Sequence, residues 1–161
     1  MSGFDEAFPI VMDTEQGFVN NPKDPGGATK WGVTERVARK NGYTGDMRNL
    51  LLSEARDIAK KEYWDPHRCD ELPYIIAFQV FDTAYNGGYA VKWLQLACNV
   101  KPSGIMNEET ITAANGHGTQ AIVMVFCAHR LMYYTALKGL WKEFGRGWAT
   151  RIAHNMLLGA K

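Results

Sequence analysis

The chain has 161 residues, the usual length of one domain and enough to bury a continuous core. Hydrophobic residues make up 46% and charged residues 22%, a globular balance that excludes a disordered chain. The 18 basic and 17 acidic side chains give a formal net charge of +1, so charge alone does not indicate nucleic acid or a membrane surface as partner.

The first predicted element is a helix over residues 4 to 15. Its apolar face is formed by Phe4, Phe8, Val11 and Met12. Glu15 falls three residues after Met12, near the end of this helix, and Gly17 is the predicted stop. Residues 18 to 33 hold two prolines, three glycines and two asparagines, which predicts an irregular loop and a small hairpin.

Helical signals dominate the rest of the chain. The predicted N-caps are Thr34, Ser53 and Asn107. Apolar residues run through 74 to 85, 89 to 98 and 119 to 138, and a last helix is predicted over about 145 to 158. The pattern predicts a mainly helical single domain over residues 1–161, with lobes at about 4–66 and 74–158 and a small irregular or β lobe after the first helix.

Cysteines and histidines give no sign of a disulfide frame or a metal centre. Cys69, Cys98 and Cys127 are odd in number and widely spaced, so we expect reduced thiols. The four histidines are scattered without ligand spacing, and no metal or other cofactor is expected.

The sequence predicts no export signal and no membrane insertion. The N-terminal residues are acidic and lack the apolar core of a signal peptide. The longest later apolar run, residues 121–128, is far below the ~20 residues that span a bilayer. We therefore expect a protein made soluble in the cytoplasm.

Glu15 is the candidate catalytic residue. The end of a helix, followed by a loop rich in glycine and proline, would hold the Glu15 side chain rigidly at the mouth of a cleft. Partly apolar surroundings favour a carboxylic acid that keeps its proton near neutral pH. The loop offers a second carboxylate, Asp24, and a hydroxyl, Thr29. In an inverting glycosidase two carboxyl groups stand ~6.5–9.5 Å apart with a water between them.

The stretch from Glu15 to Thr29, followed by Trp31-Gly32-Val33-Thr34, resembles the signature of glycoside hydrolase family 108. These are N-acetylmuramidases of phage endolysins and bacterial lysis cassettes, with a motif that begins E-G-G-Y. The likeness continues at residues 62–66, EYWDP. Residues 81–88, FDTAYNGG, and later segments resemble the peptidoglycan-binding region that accompanies the family. The resemblance implies a lysozyme-like helical fold.

The resemblance also implies roles for single residues. Glu15 matches the essential acid of the family, and Asp24 and Thr29 match motif positions that would hold water or act as base. Two residues depart from the pattern: Gln16 replaces the first glycine, and Asn21 stands where aspartate is often found. Asn21 leaves Asp24 as the remaining acid in the loop.

Four residues are candidates for substrate binding. Trp31 is an aromatic in the motif that would stack on a sugar ring. Tyr85, Asn86 and Gly87 precede Gly88, and a glycine pair lets a backbone approach a ligand closely. A helix break needed only for packing explains the same glycines equally well.

These residues predict a peptidoglycan hydrolase that cleaves the β-1,4 bond between N-acetylmuramic acid and N-acetylglucosamine. Two alternatives stay open: a lytic transglycosylase acting on the same bond, and a non-catalytic peptidoglycan-binding protein. We expect a monomer made in the bacterial cytoplasm that acts on the wall in the periplasm. A separate holin or secretion system would give access, and no nucleic acid is expected as partner.

Overall fold

The structure is a computed structural model that describes residues 3–15, 17–22 and 26–161. The chain divides into two compact units, Met1–Pro66 and His67–Lys161. This boundary falls between the lobes expected at 4–66 and 74–158. The organisation of both lobes as one domain stays a prediction.

The described part of the first unit contains helices, three short strands and tight helical turns. Its regular elements are α1 Gly3–Met12, β1 Phe18–Val19, β2 Thr29–Lys30, β3 Val33–Thr34, α2 Glu35–Lys40 and α3 Leu52–Ala59, which a π-helical turn extends over Lys60–Trp64. The strands pair antiparallel in the order β1-β2-β3. A small β lobe therefore follows the first helix, as predicted.

Helix α1 is held by the apolar face that the sequence predicts. Phe4, Phe8, Val11 and Met12 are all buried, and the Phe4 ring packs against Trp64 with its centroid 5.4 Å away. The helix ends at Met12, three residues earlier than predicted. Pro9 lies inside it rather than in its first turn, where it removes one backbone donor from the helix.

One of two predicted N-caps in the first unit is confirmed. The Thr34 hydroxyl accepts a hydrogen bond from the Val37 N–H at 3.3 Å and begins α2. The predicted cap Ser53 is wrong, because α3 already begins at Leu52. There the Glu54 carboxylate reaches back to accept from the Leu51 N–H at 2.9 Å.

The second unit is built from helices. They are α4 Tyr74–Tyr85, α5 Ala90–Ala97, α6 Glu108–Gly116, α7 Thr119–Ala136 and α8 Lys138–Gly159. Asn107 caps α6 as predicted, its side chain accepting from the Thr110 N–H at 3.0 Å. No helix in the described part of the chain is long and apolar enough to cross a membrane.

Helix α8 begins earlier than its prediction at residue 145. Only Leu137 separates it from α7. The early part of α8 holds three glycines, which in sequence indicate a turn. One of them is a packing site instead, because a β-carbon on Gly145 would lie 2.5 Å from the Trp141 ring. The fold is mainly helical with a small three-stranded sheet, and the predicted fold class is confirmed.

Candidate active site

Glu15 lies in a turn that continues helix α1 beyond its last residue. Its backbone N–H donates to the Met12 carbonyl at 3.1 Å. One residue earlier, the Thr14 hydroxyl donates to the Val11 carbonyl at 2.9 Å. Because Met12 and Val11 are buried, these bonds attach the turn to a fixed part of the core. Glu15 is half-buried on this mount.

The sheet brings Trp31 opposite the residues that follow Glu15. Phe18 pairs with Lys30 in the antiparallel register of β1 and β2. The Trp31 N–H then donates to the Gly17 carbonyl at 3.4 Å, which extends this ladder by one position. Trp31 therefore stands across from a residue only two positions after Glu15.

Trp31 occupies an unusual backbone conformation at the turn between β2 and β3. Trp31 and Gly32 have φ angles of 54° and 75°, and two left-handed residues in succession form the tight turn that matches strand twist. Glycine adopts this conformation freely, whereas a bulky side chain there costs about 1–3 kcal/mol. Such strain persists only where the surroundings hold it, which marks Trp31 as a functional candidate.

Two side-chain hydrogen bonds hold this turn in place. The Trp31 indole N–H donates to the Leu50 carbonyl at 3.0 Å, and the Lys30 ammonium donates to the Arg48 carbonyl. The Lys30 ammonium also lies 5.6 Å from the centroid of the Trp31 ring. The half-buried indole is thus fixed in orientation, as stacking on a ligand requires.

Of the other two catalytic candidates, Thr29 lies within the described residues and Asp24 does not. Thr29 is half-buried in β2, paired with Val19 and Thr34. It lies two positions before Trp31, which brings the two α-carbons within about 7 Å of each other. Asp24 and Gln16 lie outside the described residues. The roles of Glu15, Asp24 and Thr29 stay predictions.

The residues Tyr85, Asn86 and Gly87 end helix α4 in the second unit. The Gly87 N–H donates to Ala84 at 3.2 Å and the Gly88 N–H to Thr83 at 2.9 Å, the pattern of a helix terminated by a left-handed glycine. A β-carbon on Gly88 would lie 2.6 Å from Thr83. The glycine pair thus has a structural role.

The side chains of this candidate binding segment differ in exposure. The Tyr85 ring is buried and lies 5.7 Å from that of Phe81, whereas Asn86 is exposed. Asn86 donates to the Asp82 carbonyl at 2.8 Å, which further secures the helix end. A binding role for Tyr85, Asn86 and Gly87 stays a prediction.

A buried ion cluster in the second unit was missed by the sequence reasoning. The Asp82 carboxylate accepts from Arg130 at 2.7 Å, from Arg151 at 2.7 and 2.9 Å, and from Asn155 at 2.7 Å. Burial alone would raise the pKa of Asp82, but the guanidinium groups of Arg130 and Arg151 hold it below the ordinary value. The cluster ties α4 to α7 and α8.

The titratable groups of the described residues form no metal centre. No three His, Cys, Asp or Glu side chains in that part of the chain meet in a group that would hold an ion. Cys69, Cys98 and Cys127 are buried and form no disulfide. Burial raises the pKa of Cys127 to about 11, so this thiol stays protonated near neutral pH.

Comparison with known proteins identifies the class. Residues 8–88 match the family model described as glycosyl hydrolase 108, and this span includes Glu15, Asp24, Thr29 and Trp31. No curated protein matches the chain. Among solved structures, the chain is similar to one described as the structure of Brucella abortus SagA. The TM-score is 0.86 at 30% identity, covering 98% of this chain and 93% of that chain.

The fold and the matched span define a glycoside hydrolase of lysozyme-like architecture that acts on peptidoglycan. The chain belongs to glycosyl hydrolase family 108. The resemblance drawn from the motif at residues 15–34 is therefore confirmed at the level of the family.

Proposed function

We propose that this protein is an N-acetylmuramidase that hydrolyses the β-1,4 bond between N-acetylmuramic acid and N-acetylglucosamine, with Glu15 as general acid. The observation that carries the proposal is the hydrogen bond between Trp31 and Gly17. This backbone bond places Trp31, whose indole is held by the Leu50 carbonyl, across from the residue two positions after Glu15. A sugar stacked on that ring would lie close to a carboxyl group.

The mounting of Glu15 supports its role as the acid. A proton donor contributes only when it is held within hydrogen-bond reach of the leaving oxygen, and general acid–base catalysis then accelerates a reaction about 10²–10⁴-fold. The Glu15 backbone is bonded to Met12, and α1 is fixed by buried aromatic rings. The carboxyl group is therefore attached to rigid structure while half-buried.

In the proposed reaction Glu15 transfers its proton to the glycosidic oxygen as the bond to the muramic acid carbon breaks. A water held by Asp24 and Thr29 attacks that carbon and gives its proton to Asp24. The products are a shortened strand with a reducing N-acetylmuramic acid end and a new N-acetylglucosamine hydroxyl. The role of Thr29 in holding the water is supported by strand β2, because antiparallel pairing on both sides of the strand fixes the backbone of Thr29.

The wider role that we propose is lysis by an endolysin or an effector acting on the wall in the periplasm. Its monomeric state and its access through a holin or a secretion system stay predictions from the sequence. The motif at residues 15–34, which resembles that of phage endolysins, supports this role.

The products of digestion test the proposed bond. Purified Gram-negative peptidoglycan is incubated with the wild type, and the released muropeptides are identified by mass spectrometry. Reducing N-acetylmuramic acid ends are expected. Ends with a 1,6-anhydro sugar would instead identify a lytic transglycosylase, in which the neighbouring hydroxyl of the sugar replaces the water.

Two variants test how the water is held. Asp24→Asn is expected to lower the rate of release by about 10²-fold or more, because the attacking water loses its base. Asp13→Asn removes an exposed carboxylate near Glu15 and is the matched control, expected to keep the wild-type rate. Equal rates for the two variants would contradict a hydrolytic base at Asp24.

A further inference from the structure

A charged groove of about 260 Å³ lies beside the sheet of the first unit. It is lined chiefly by Phe18, Asn20, Glu35, Arg39, Asp46 and Arg48. None of these residues has a part in the reaction proposed above. Phe18 follows Glu15 by three residues, so the groove begins within about 10 Å of the proposed acid along the backbone.

The ion pair between Arg39 and Glu35 forms one side of the charged groove and is held in place by the fold. The Arg39 guanidinium pairs with Glu35 at 2.7 Å and also donates to the carbonyls of Tyr43 and Gly45, each at 2.8 Å. Three acceptors from a helix and a loop hold this guanidinium in one orientation. Arg39 is therefore occupied by the fold and defines one side of the charged groove.

The other ion pair, between Arg48 and Asp46, is exposed to solvent and can exchange its internal contact for contacts with a ligand. Arg48 Nη1 lies 3.0 Å from Asp46 Oδ2, and the two side chains are 66% and 50% exposed. An ion pair this exposed contributes little to stability, since water screens it. Its members can therefore part and bind ligand groups of opposite charge at small cost.

Both members stay in position when their mutual contact opens. The backbone N–H of Arg48 donates to Asp46 Oδ1 at 2.8 Å, independently of the guanidinium. That bond is the main cause that lowers the pKa of Asp46, so the group is a carboxylate near neutral pH. The Arg48 guanidinium lies over the Phe18 ring, 5.2 Å from its centroid, and this cation–π contact helps to hold the guanidinium in position.

The balance of charge in the charged groove selects the kind of ligand. Two guanidinium groups and two carboxylates cancel, so neither a simple anion nor a simple cation is favoured there. A ligand with an ammonium and a carboxylate on one centre satisfies Asp46 and Arg48 together. Such a ligand is an amino acid with both of its α groups free.

We propose that the charged groove binds the stem peptide of the glycan substrate at such a centre, with Arg48 on its carboxylate and Asp46 on its ammonium. The inference rests on the proposed function, because the stem peptide is attached to the sugar that would lie at Glu15. A diamino diacid in an uncross-linked stem presents this centre. Cross-linking acylates the ammonium and removes one charge, so the charged groove favours uncross-linked stems.

Binding of a defined probe tests the inference without any bond being cut. The probe is a muramyl tripeptide that ends in diaminopimelate. It is titrated into the wild type, Arg48→Gln and Asp46→Asn, and binding is followed by NMR. The same spectra report whether each variant is folded. The Kd is expected to rise about tenfold or more in both variants, since each loses a charged hydrogen bond. Arg36→Gln removes an exposed arginine of α2 outside the charged groove and is the matched control.

A second probe carries an acetyl group on the free ammonium. The wild type is expected to bind it about tenfold more weakly than the first, by the loss of the pairing with Asp46. Equal affinity for the two probes, or variants that bind the first probe as the wild type does, would overturn the inference. Release of reducing ends from peptide-free glycan strands by the wild type is measured in parallel, so that a failure of the proposed function is seen separately.

Discussion

The buried Asp82 cluster leads to a specific prediction about stability. Asp82→Asn keeps the shape of the side chain but removes its charge and turns one acceptor oxygen into a donor. Arg130 is 1% exposed at its side chain and pairs with this carboxylate at 2.7 Å, so the substitution leaves its charge buried without compensation. Removing one partner of a buried ion pair costs about 3–5 kcal/mol, the loss expected in the free energy of unfolding.

The pH dependence of this loss follows from the lowered pKa of Asp82. A carboxyl group whose pKa is lower in the folded state contributes stability that is present above its unfolded pKa and is lost as the pH falls through its folded pKa. The difference in stability between wild type and Asp82→Asn is therefore expected to be constant from pH 7 to about pH 5 and to shrink below that, where unfolded aspartate begins to take up protons.

Urea denaturation followed by tryptophan fluorescence, repeated at pH 7, 5 and 4, measures both quantities. Glu143→Gln changes an exposed acid of α8, the helix that carries Arg151, and is expected to stay within about 0.5 kcal/mol of the wild type. A loss below about 1 kcal/mol for Asp82→Asn at pH 7 would refute the reasoning. So would a difference that already shrinks between pH 7 and pH 5.

Four further substitutions test local packing and hydrogen bonding, and thermal unfolding measures the change in stability for each. Gly88→Ala is expected to destabilise the protein by about 1–3 kcal/mol, because the new β-carbon would lie 2.6 Å from Thr83. Gly147→Ala is expected to stabilise the protein by about 0.5–1 kcal/mol, because Gly147 lies inside α8 with open space around it. Trp31→Phe loses the indole hydrogen bond and is expected to destabilise by about 1 kcal/mol. Thr34→Ala removes the N-cap of α2 at a cost of about 1 kcal/mol. A stabilised Gly88→Ala, or Trp31→Phe and Thr34→Ala equal to the wild type, would contradict these accounts.

Local signals in the sequence were sufficient to predict most helices. Thr34 and Asn107 are caps whose side chains bond to the N–H three residues on, an interaction that depends only on nearby residues. Ser53 failed as a cap because α3 already begins at Leu52, where the Glu54 carboxylate accepts from the Leu51 N–H and stabilises the earlier start. Where two local solutions are available, the sequence does not choose between them.

The buried cluster depends on packing between helices, although the sequence holds a signal for it. Asp82 and Arg130 are single charges inside otherwise apolar helical segments. Because a buried charge needs a partner, an isolated acid in one apolar helix and an isolated base in another indicate a pair. The same reasoning would not have found Asn155, whose contact with Asp82 depends on the course of α8.

The candidate site was only partly predictable from the sequence. The composition of residues 18 to 33 indicates a hairpin, but the register that puts Trp31 opposite Gly17 is set by strand pairing. Tryptophan is not a turn residue, so its left-handed conformation at φ 54° had no signal in the sequence. The charged groove joins residues that are up to thirty positions apart, which no motif indicates.

The most direct test of the central claim is the digestion of purified Gram-negative peptidoglycan by Glu15→Gln, with Glu6→Gln, an exposed glutamate of α1, as matched control. The released muropeptides are quantified by mass spectrometry. Wild type and Glu6→Gln are expected to release reducing N-acetylmuramic acid ends, and Glu15→Gln about 10²-fold fewer or none. Equal release by all three proteins would remove Glu15 from the mechanism.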